Sequence, residues 1–302
     1  MRIHFSNVNF SSSSGPNAFA YRLANELAIQ GHEIVNYASG YDIFLCFIEP
    51  TNRPHEGSKF IQRLDGIWFK PEQFDSHNKM IKLAYDNCDH VIWQSDFDKK
   101  MTERWWGTAR GTVIGNGIKI VSPEISNQLK DIRKKHDKIF VCAASWHRQK
   151  RLKENILLFQ KLAKDNDILF VLGENPDYRV NDKRVLYVGN VHPQVCLQIY
   201  SIADWMIHLA WLDHCPNVTV EAMSQLCPII YSSSGGTGEI VKENGIAILE
   251  SIDYKFELCD YDNPPELDLP DNLDLLNIDV DSSHLKIEAI AQKYLEVFNE
   301  KI

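Results

Sequence analysis

At 302 residues the chain is sized for one or two domains, and its 44% hydrophobic content lets it bury substantial cores. A formal charge of −9 provides no general basic face, which excludes a non-specific nucleic-acid binder but not a phosphate ligand held by local cations. Seven cysteines, an odd number without a C-x-x-C pair, read as reduced thiols, and no apolar run approaches the roughly 20 residues that cross a bilayer.

The N-terminal MRIHFSN runs directly into a strand with no charged and then apolar leader, so a cytoplasmic location is expected. A small polar loop, SNVNFSSSSGPN, leads to a helix over 18–30. Its Phe19, Leu23 and Leu27 recur at helical spacing, and Gly31 stops it. EIVNYA is the next strand, which completes a βαβ unit. The loop is not G-x-G-x-x-G, so dinucleotide binding lacks its fingerprint. YDIFLCFIEP (41–50) is apolar almost throughout, as suits a strand covered on both faces. KFIQRLDGIWF (59–69) is a strand ending in the polar turn Arg63-Leu64-Asp65-Gly66. Polar residues at the C-terminal ends of parallel strands line ligand crevices, so Asp65 is either a site residue or part of a structural turn. A helix over 76–88, a strand over 91–94 and a helix capped by Ser95 or Asp96 follow, then the strand and turn of GTVIGNGI (111–118).

Residues 120–137 are a polar connector containing an amphipathic helix, and the domain junction is placed there. KIFVCAASWHRQKRLKENILLFQKLAK (138–164) restarts strand, loop and helix. Its loop gathers His147, Arg148, Lys150, Arg151 and Lys153. Cations at a helix N-terminus oppose the dipole, so a bound anion accounts for them better than a solvated helix start. Strands over 168–173 and 184–191 lead to a helix from about Gln194 to Ala203. Next comes WLDHCPNVTVEAMSQLCPIIYSSSGGTGEIV (211–241). Asp213 precedes a short helix (220–225) and Glu221 lies within it, so both can face one pocket at the helix N-terminus, an end suited to phosphate. A carboxylate beside phosphate serves best as an acceptor for hydroxyls, and phosphate with hydroxyls points to a nucleotide-sugar. Residues 255–281 are acidic and Pro-rich. Their Asp260-Tyr261-Asp262 reads as a chance D-x-D among many acids rather than a metal motif. Residues 283–299 form an amphipathic helix.

The 211–241 stretch resembles the signature of retaining glycosyltransferases of family 4 (glycosyl transferases group 1), which have the GT-B fold. That pattern is E-x7-E, a small-residue helix, Pro, a strand and a Gly-Gly turn ending in Glu. Here it reads Asp213, Glu221-Ala222-Met223, Pro228-Ile229-Ile230, Gly235-Gly236 and Glu239-Ile240-Val241. Asp replaces the first Glu, and Pro216-Asn217 stands where many members have Gly and an aliphatic residue. Asn116-Gly117-Ile118 resembles the turn that ends the family's first domain. The resemblance implies an α/β fold of two Rossmann-like domains with parallel sheets facing across a cleft. Residues 1–119 would be the acceptor-side domain, 120–282 the donor domain, and 283–302 a helix crossing back to the first domain.

The resemblance also implies a site. Arg148 and Lys150, with Arg151 the rival for the second place, would hold the donor diphosphate, helped by the N–H groups near Asn217 and Val218. Glu221 would hold the ribose hydroxyls, and Asp213 those of the transferred sugar. Gly15 would approach the donor phosphate or the acceptor. Val191 would lie near the base, or in a plain loop. Asp65 stands where members carry a His that contacts the donor sugar. No cofactor and no metal are expected. The implied substrates are a nucleotide-diphosphate sugar, GDP-mannose first and UDP-glucose second, and a glycan or other hydroxyl acceptor. No nucleic-acid partner is expected, while peripheral membrane contact and a homodimer are both compatible with the sequence. The alternatives are a nucleotide-sugar epimerase of the same fold and an inactive nucleotide-sugar binder.

Overall fold

The computed structural model describes residues 1–12 and 14–300. Ser13, in the loop expected at 6–17, and residues 301–302, at the end of the 283–302 segment, lie outside the described residues. The chain divides into two units: Met1–Lys119 with Lys255–Asp260 and His284–Ile302, and Ile120–Tyr254 with Tyr261–Ser283.

The first unit contains β1 (Arg2–Ser6), α1 (Gly15–Ile29), β2 (Glu33–Ile34), β3 (Ile43–Phe47), β4 (Lys59–Leu64), α2 (Pro71–Asn87), β5 (His90–Trp93), α3 (Asp96–Trp106), β6 (Gly111–Val113) and the C-terminal helix Ile287–Asn299. Its strands form one parallel sheet in the order β2-β1-β3-β4-β5-β6. Strand β3 shows why the apolar run is continuous. Ile43, Leu45 and Phe47 face a core shared with Phe19 and Leu23 of α1 and Ile290, Tyr294 and Phe298 of the C-terminal helix. Phe44 and Cys46 face a second core with Phe60 and Ala84. Alternate side chains point to opposite faces of a strand, so a sheet covered on both faces needs apolar residues at every position.

Strand β4 is buried at all six positions although its sequence, KFIQRL, is half polar. Each of its three polar side chains donates at least one hydrogen bond, although among the described residues Gln62 Oε1 and Arg63 Nε find no hydrogen-bond partner. Lys59 Nζ donates to the carbonyls of Val297 (2.6 Å) and Glu300 (2.9 Å), at the negative end of the C-terminal helix. Gln62 donates to the carbonyls of Ile48 (2.7 Å) and Ile81 (3.0 Å). Helices α1 and α2 begin three and five residues before the expected starts, because Pro16 and Pro71 occupy first-turn positions where a missing N–H costs nothing. Ser95 is the cap of α3, its hydroxyl accepting from Asp98 N–H (3.1 Å). In the Asn-Gly turn, a Cβ on Gly117 would come within 2.8 Å of Ile290 Cγ1, so this glycine lets the C-terminal helix approach closely.

The second unit contains α4 (Asn127–Lys135), β7 (Ile139–Ala143), α5 (Leu152–Leu162), β8 (Ile168–Leu172), β9 (Val185–Gly189), α6 (Pro193–Ile202), β10 (Trp205–His208), α7 (Asn217–Ser224), β11 (Ile229–Ser232), α8 (Thr237–Val241) and β12 (Gly245–Ile248). The parallel order is β12-β11-β10-β7-β8-β9. Helix α7 starts three residues earlier than expected, after Pro216, and the Gly-rich turn gives way to the short helix α8. Residues 249–282 form no helix or strand. Their Leu267, Leu269, Leu273, Leu275 and Ile278 nevertheless pack onto the core built by β7, β8 and α5. The apolar residues set among these acids therefore hold residues 267–278 against the core of the second unit.

Candidate functional site

Topology decides where chemistry gathers in the second unit. The strand order reverses between β7 and β10, so loops leaving their C-terminal ends diverge and open a crevice at that point. The loop after β7 carries one 3-10 turn, Arg148–Lys150, and then Arg151, the residue before α5. The loop after β10 carries Asp213 and leads into α7.

Buried polar bonds fix these loops to one another. The Trp211 N–H donates to the Gln149 carbonyl (2.8 Å). Asn155 donates to the carbonyls of Lys150 (3.0 Å) and Arg151 (2.7 Å) and accepts from Leu209 N–H (3.2 Å). The loop after β11 joins them. Ser234 Oγ accepts from Leu212 N–H (3.1 Å), and Gly236 N–H donates to the Asp213 carbonyl (2.7 Å). Gly235 has φ 72°, and a Cβ there would stand 2.7 Å from the Asp213 nitrogen, so only glycine fits this turn.

Asp213 is the electrostatic centre. Lys150 Nζ and His208 Nε2 (3.2 Å) both donate to its Oδ2. Burial alone would raise this carboxyl. The charge of Lys150 and the His208 hydrogen bond outweigh that and hold it well below the usual carboxylate range. The residue is therefore an anion that accepts hydrogen bonds and cannot donate them.

Arg151 has different surroundings from its neighbour. Its backbone is left-handed (φ 52°, ψ 49°), a conformation that costs a non-glycine residue about 1–2 kcal/mol. Its side chain is 1% exposed and forks onto Glu250, at 2.6 and 3.1 Å, with a further bond to the Pro265 carbonyl (2.8 Å). Glu250 also accepts from Ser232, whose hydroxyl lies 2.8 Å from that of Ser234. Arg151 thus joins the 249–282 segment to the sheet.

Arg148 is exposed and donates to Asn263 Oδ1 (2.9 Å). Asn217 and Val218 form the first turn of α7, at the positive end of its dipole. Glu221, one turn on, lies near α6, where burial first and then its charge push the Cys196 thiol up to about 11. Val191 lies between β9 and α6, its carbonyl 4.0 Å from Cys196 Sγ.

Gly15 and Asp65 belong to the first unit. Gly15 opens α1, and Asp65 directly follows β4. Asp65 pairs with the fully buried Arg63, whose guanidinium lies over the rings of Phe19 (4.5 Å) and Phe47 (5.0 Å). Arg63 also donates to Asn116 Oδ1 (2.5 Å), and Gln94 donates to the Asp65 carbonyl (2.8 Å). A buried arginine lying over two aromatic rings and bonded to Asn116 thus anchors Asp65.

Of the residues singled out in sequence, the fold brings Lys150 and Asp213 into direct contact, with Arg148 and the start of α7 on the same two loops. Arg151 is committed to Glu250. His208, Asn155, Glu250 and Ser232 were not singled out. The only sequence signal for His208 was an imidazole closing an otherwise apolar strand. Among the described residues no three His, Cys, Asp or Glu side chains converge as a metal site, and no helix is long and apolar enough to cross a membrane.

Residues 124–252 match the family described as Glycosyl transferases group 1. No curated protein matches the chain in sequence. Among solved structures it is similar to sucrose-phosphate synthase from Thermosynechococcus elongatus, at 12% identity over 99% of this chain and 94% of that one, with a TM-score of 0.66. It is similar to Anabaena Alr3699/HepE in complex with UDP and glucose, at 14% identity over 98% and 99%, with a TM-score of 0.65. It is also similar to AviGT4, a glycosyltransferase involved in avilamycin A biosynthesis, at 13% identity over 99% and 97%, with a TM-score of 0.66. These likenesses show the fold: two six-stranded parallel sheets flanked by helices, as in GT-B glycosyltransferases.

Proposed function

We propose that this chain, a GT-B protein with a group 1 glycosyltransferase match over residues 124–252, is a retaining hexosyltransferase of family 4. The observation that carries the reading is the contact of Lys150 with Asp213 at the β7/β10 switch point, beside the N-terminus of α7. A cation and a helix N-terminus suit a diphosphate, and an ionised carboxylate beside them suits sugar hydroxyls.

In this reading Arg148, Lys150 and the first N–H groups of α7, at Asn217 and Val218, carry the charge that grows on the leaving diphosphate. Such preorganised stabilisation is worth about 3–4 kcal/mol per donor in measured cases. Glu221 holds the ribose, and Asp213 accepts from the hydroxyls of the transferred hexose. The bond from the anomeric carbon to the diphosphate oxygen breaks. A bond from that carbon to the acceptor oxygen forms on the same face, and the acceptor proton passes to the leaving phosphate. The protein's own cations supply the charge stabilisation, so no metal is required. GDP-mannose and UDP-glucose are the first two donors to offer, with a glycan or other hydroxyl acceptor.

The test is product analysis by NMR with each donor and a panel of sugar acceptors, with EDTA present. An α-linked product from an α-configured donor supports the reading. An inverted product, or transfer that stops in EDTA, contradicts it. Turnover to a new sugar nucleotide without an acceptor would establish an epimerase instead.

A further inference from the structure

Both hydrogen bonds to the Asp213 carboxylate fall on one oxygen. Lys150 Nζ and His208 Nε2 (3.2 Å) meet at Oδ2, and among the described residues no hydrogen bond falls on Oδ1. A carboxylate only accepts, so His208 must carry its hydrogen on Nε2. The two donors differ in freedom. Lys150 has a long flexible stem and a side chain 20% exposed, whereas His208 ends β10 and is 4% exposed. The Asp213 backbone is already fixed by the Gly236 N–H and the close approach of Gly235. What remains to be set is the rotation of its carboxylate.

We propose that His208 is a positioning residue that grips Oδ2 of Asp213, so that Oδ1 stays turned to the transferred sugar when Lys150 moves to the donor diphosphate. This rests on the donor-site reading above. One ammonium cannot serve a carboxylate and a diphosphate equally, and the diphosphate carries the larger charge. As Lys150 is drawn away, an Asp213 without His208 would lose its last partner and rotate. His208 never touches the donor. It acts through Asp213 and therefore on the sugar portion alone.

The experiment compares wild type, His208→Leu and His208→Gln. Leu keeps the volume without the donor, and Gln places an N–H at about the same reach. Calorimetry gives the affinities for GDP and UDP and for GDP-mannose and UDP-glucose; kcat is measured with the better donor. For His208→Leu the affinity for the nucleoside diphosphate should stay within about twofold. The ratio of sugar-nucleotide to nucleoside-diphosphate affinity should fall about tenfold, the size of one hydrogen bond to a charged group, and kcat should fall with it. His208→Gln should recover most of both. A variant that weakens both ligands equally, or that keeps the full sugar increment, overturns the positioning role and leaves the donor site standing. A wild-type chain that binds none of the four ligands overturns the donor-site reading and this proposal with it. Should His208→Leu not fold, His208→Asn, polar but too short to reach Asp213, carries the same expected loss.

Discussion

Lys150 and Asp213 stand 63 positions apart in sequence, yet their side chains meet because they leave adjacent parallel strands at the point where the sheet order reverses. In the proposed function this pair sets a cation for the diphosphate beside an anion for the sugar hydroxyls.

Asp213→Asn should separate the charge of this residue from its shape. Burial raises the carboxyl, Lys150 and His208 lower it further, and the folded-state value ends below the unfolded value of about 3.9. Asp213 therefore contributes stability that is complete above that pH and is lost as pH falls through the folded-state value. The stability gap between wild type and Asp213→Asn, about 2 kcal/mol by analogy with hydrogen bonds to charged groups, should be flat from pH 8 to 5 and narrow below about pH 4. Urea unfolding at stepped pH measures it. A gap that widens as pH falls would contradict the assignment.

Glu221 and Arg148 should fail in different ways. Under the proposed function Glu221→Ala removes the acceptor assigned to the ribose hydroxyls and should raise the donor Kd about tenfold, with a smaller change in kcat. Arg148→Ala removes the charge that the same proposal assigns to the leaving diphosphate and should lower kcat about a hundredfold, with a smaller change in Kd. Steady-state kinetics with direct binding resolves the two, and unchanged values in both variants would remove these residues from the site.

The Arg151–Glu250 pair should matter for folding first. Both side chains are almost fully buried, at 1% and 5% exposure. Arg151→Met strands the Glu250 carboxylate and should destabilise the second unit by about 3–5 kcal/mol. Arg151→Met combined with Glu250→Leu should recover part of that loss, because no buried charge is left unpaired. Denaturant unfolding of the three proteins tests this, and a neutral single substitution would refute it.

Gly117→Ala tests the packing of the C-terminal helix. The added methyl would come within 2.8 Å of Ile290 Cγ1 and 3.2 Å of the Ile287 Cα. Overpacking of this kind costs about 1–3 kcal/mol. A lowered midpoint in denaturant is expected, and Ile290→Val in the same chain should relieve part of it. An unchanged midpoint would show that the helix can shift without cost.

The alternation of apolar strands, glycine-stopped helices and short loops was legible in sequence because each signal is local. Helix starts at Gly15, Pro71 and Asn217 were less so, because a first turn carries no periodic apolar residue and a proline reads as a break when it is an opening. The loop cations were visible, but their separate fates were not. Lys150 finds Asp213 and Arg151 finds Glu250, 99 positions on, through strand order alone. His208 looked like one more position in a buried strand. Only the geometry at its C-terminal end shows the imidazole turned to Asp213.

The most direct test of the donor site is isothermal titration calorimetry of the whole chain with GDP-mannose, UDP-glucose, GDP and UDP in EDTA. Binding of one nucleotide series at roughly micromolar to millimolar Kd, the range common for enzyme substrates, is expected, and Lys150→Ala should weaken it about tenfold or more. No heat with any of the four, or binding of NAD in their place, would contradict the account.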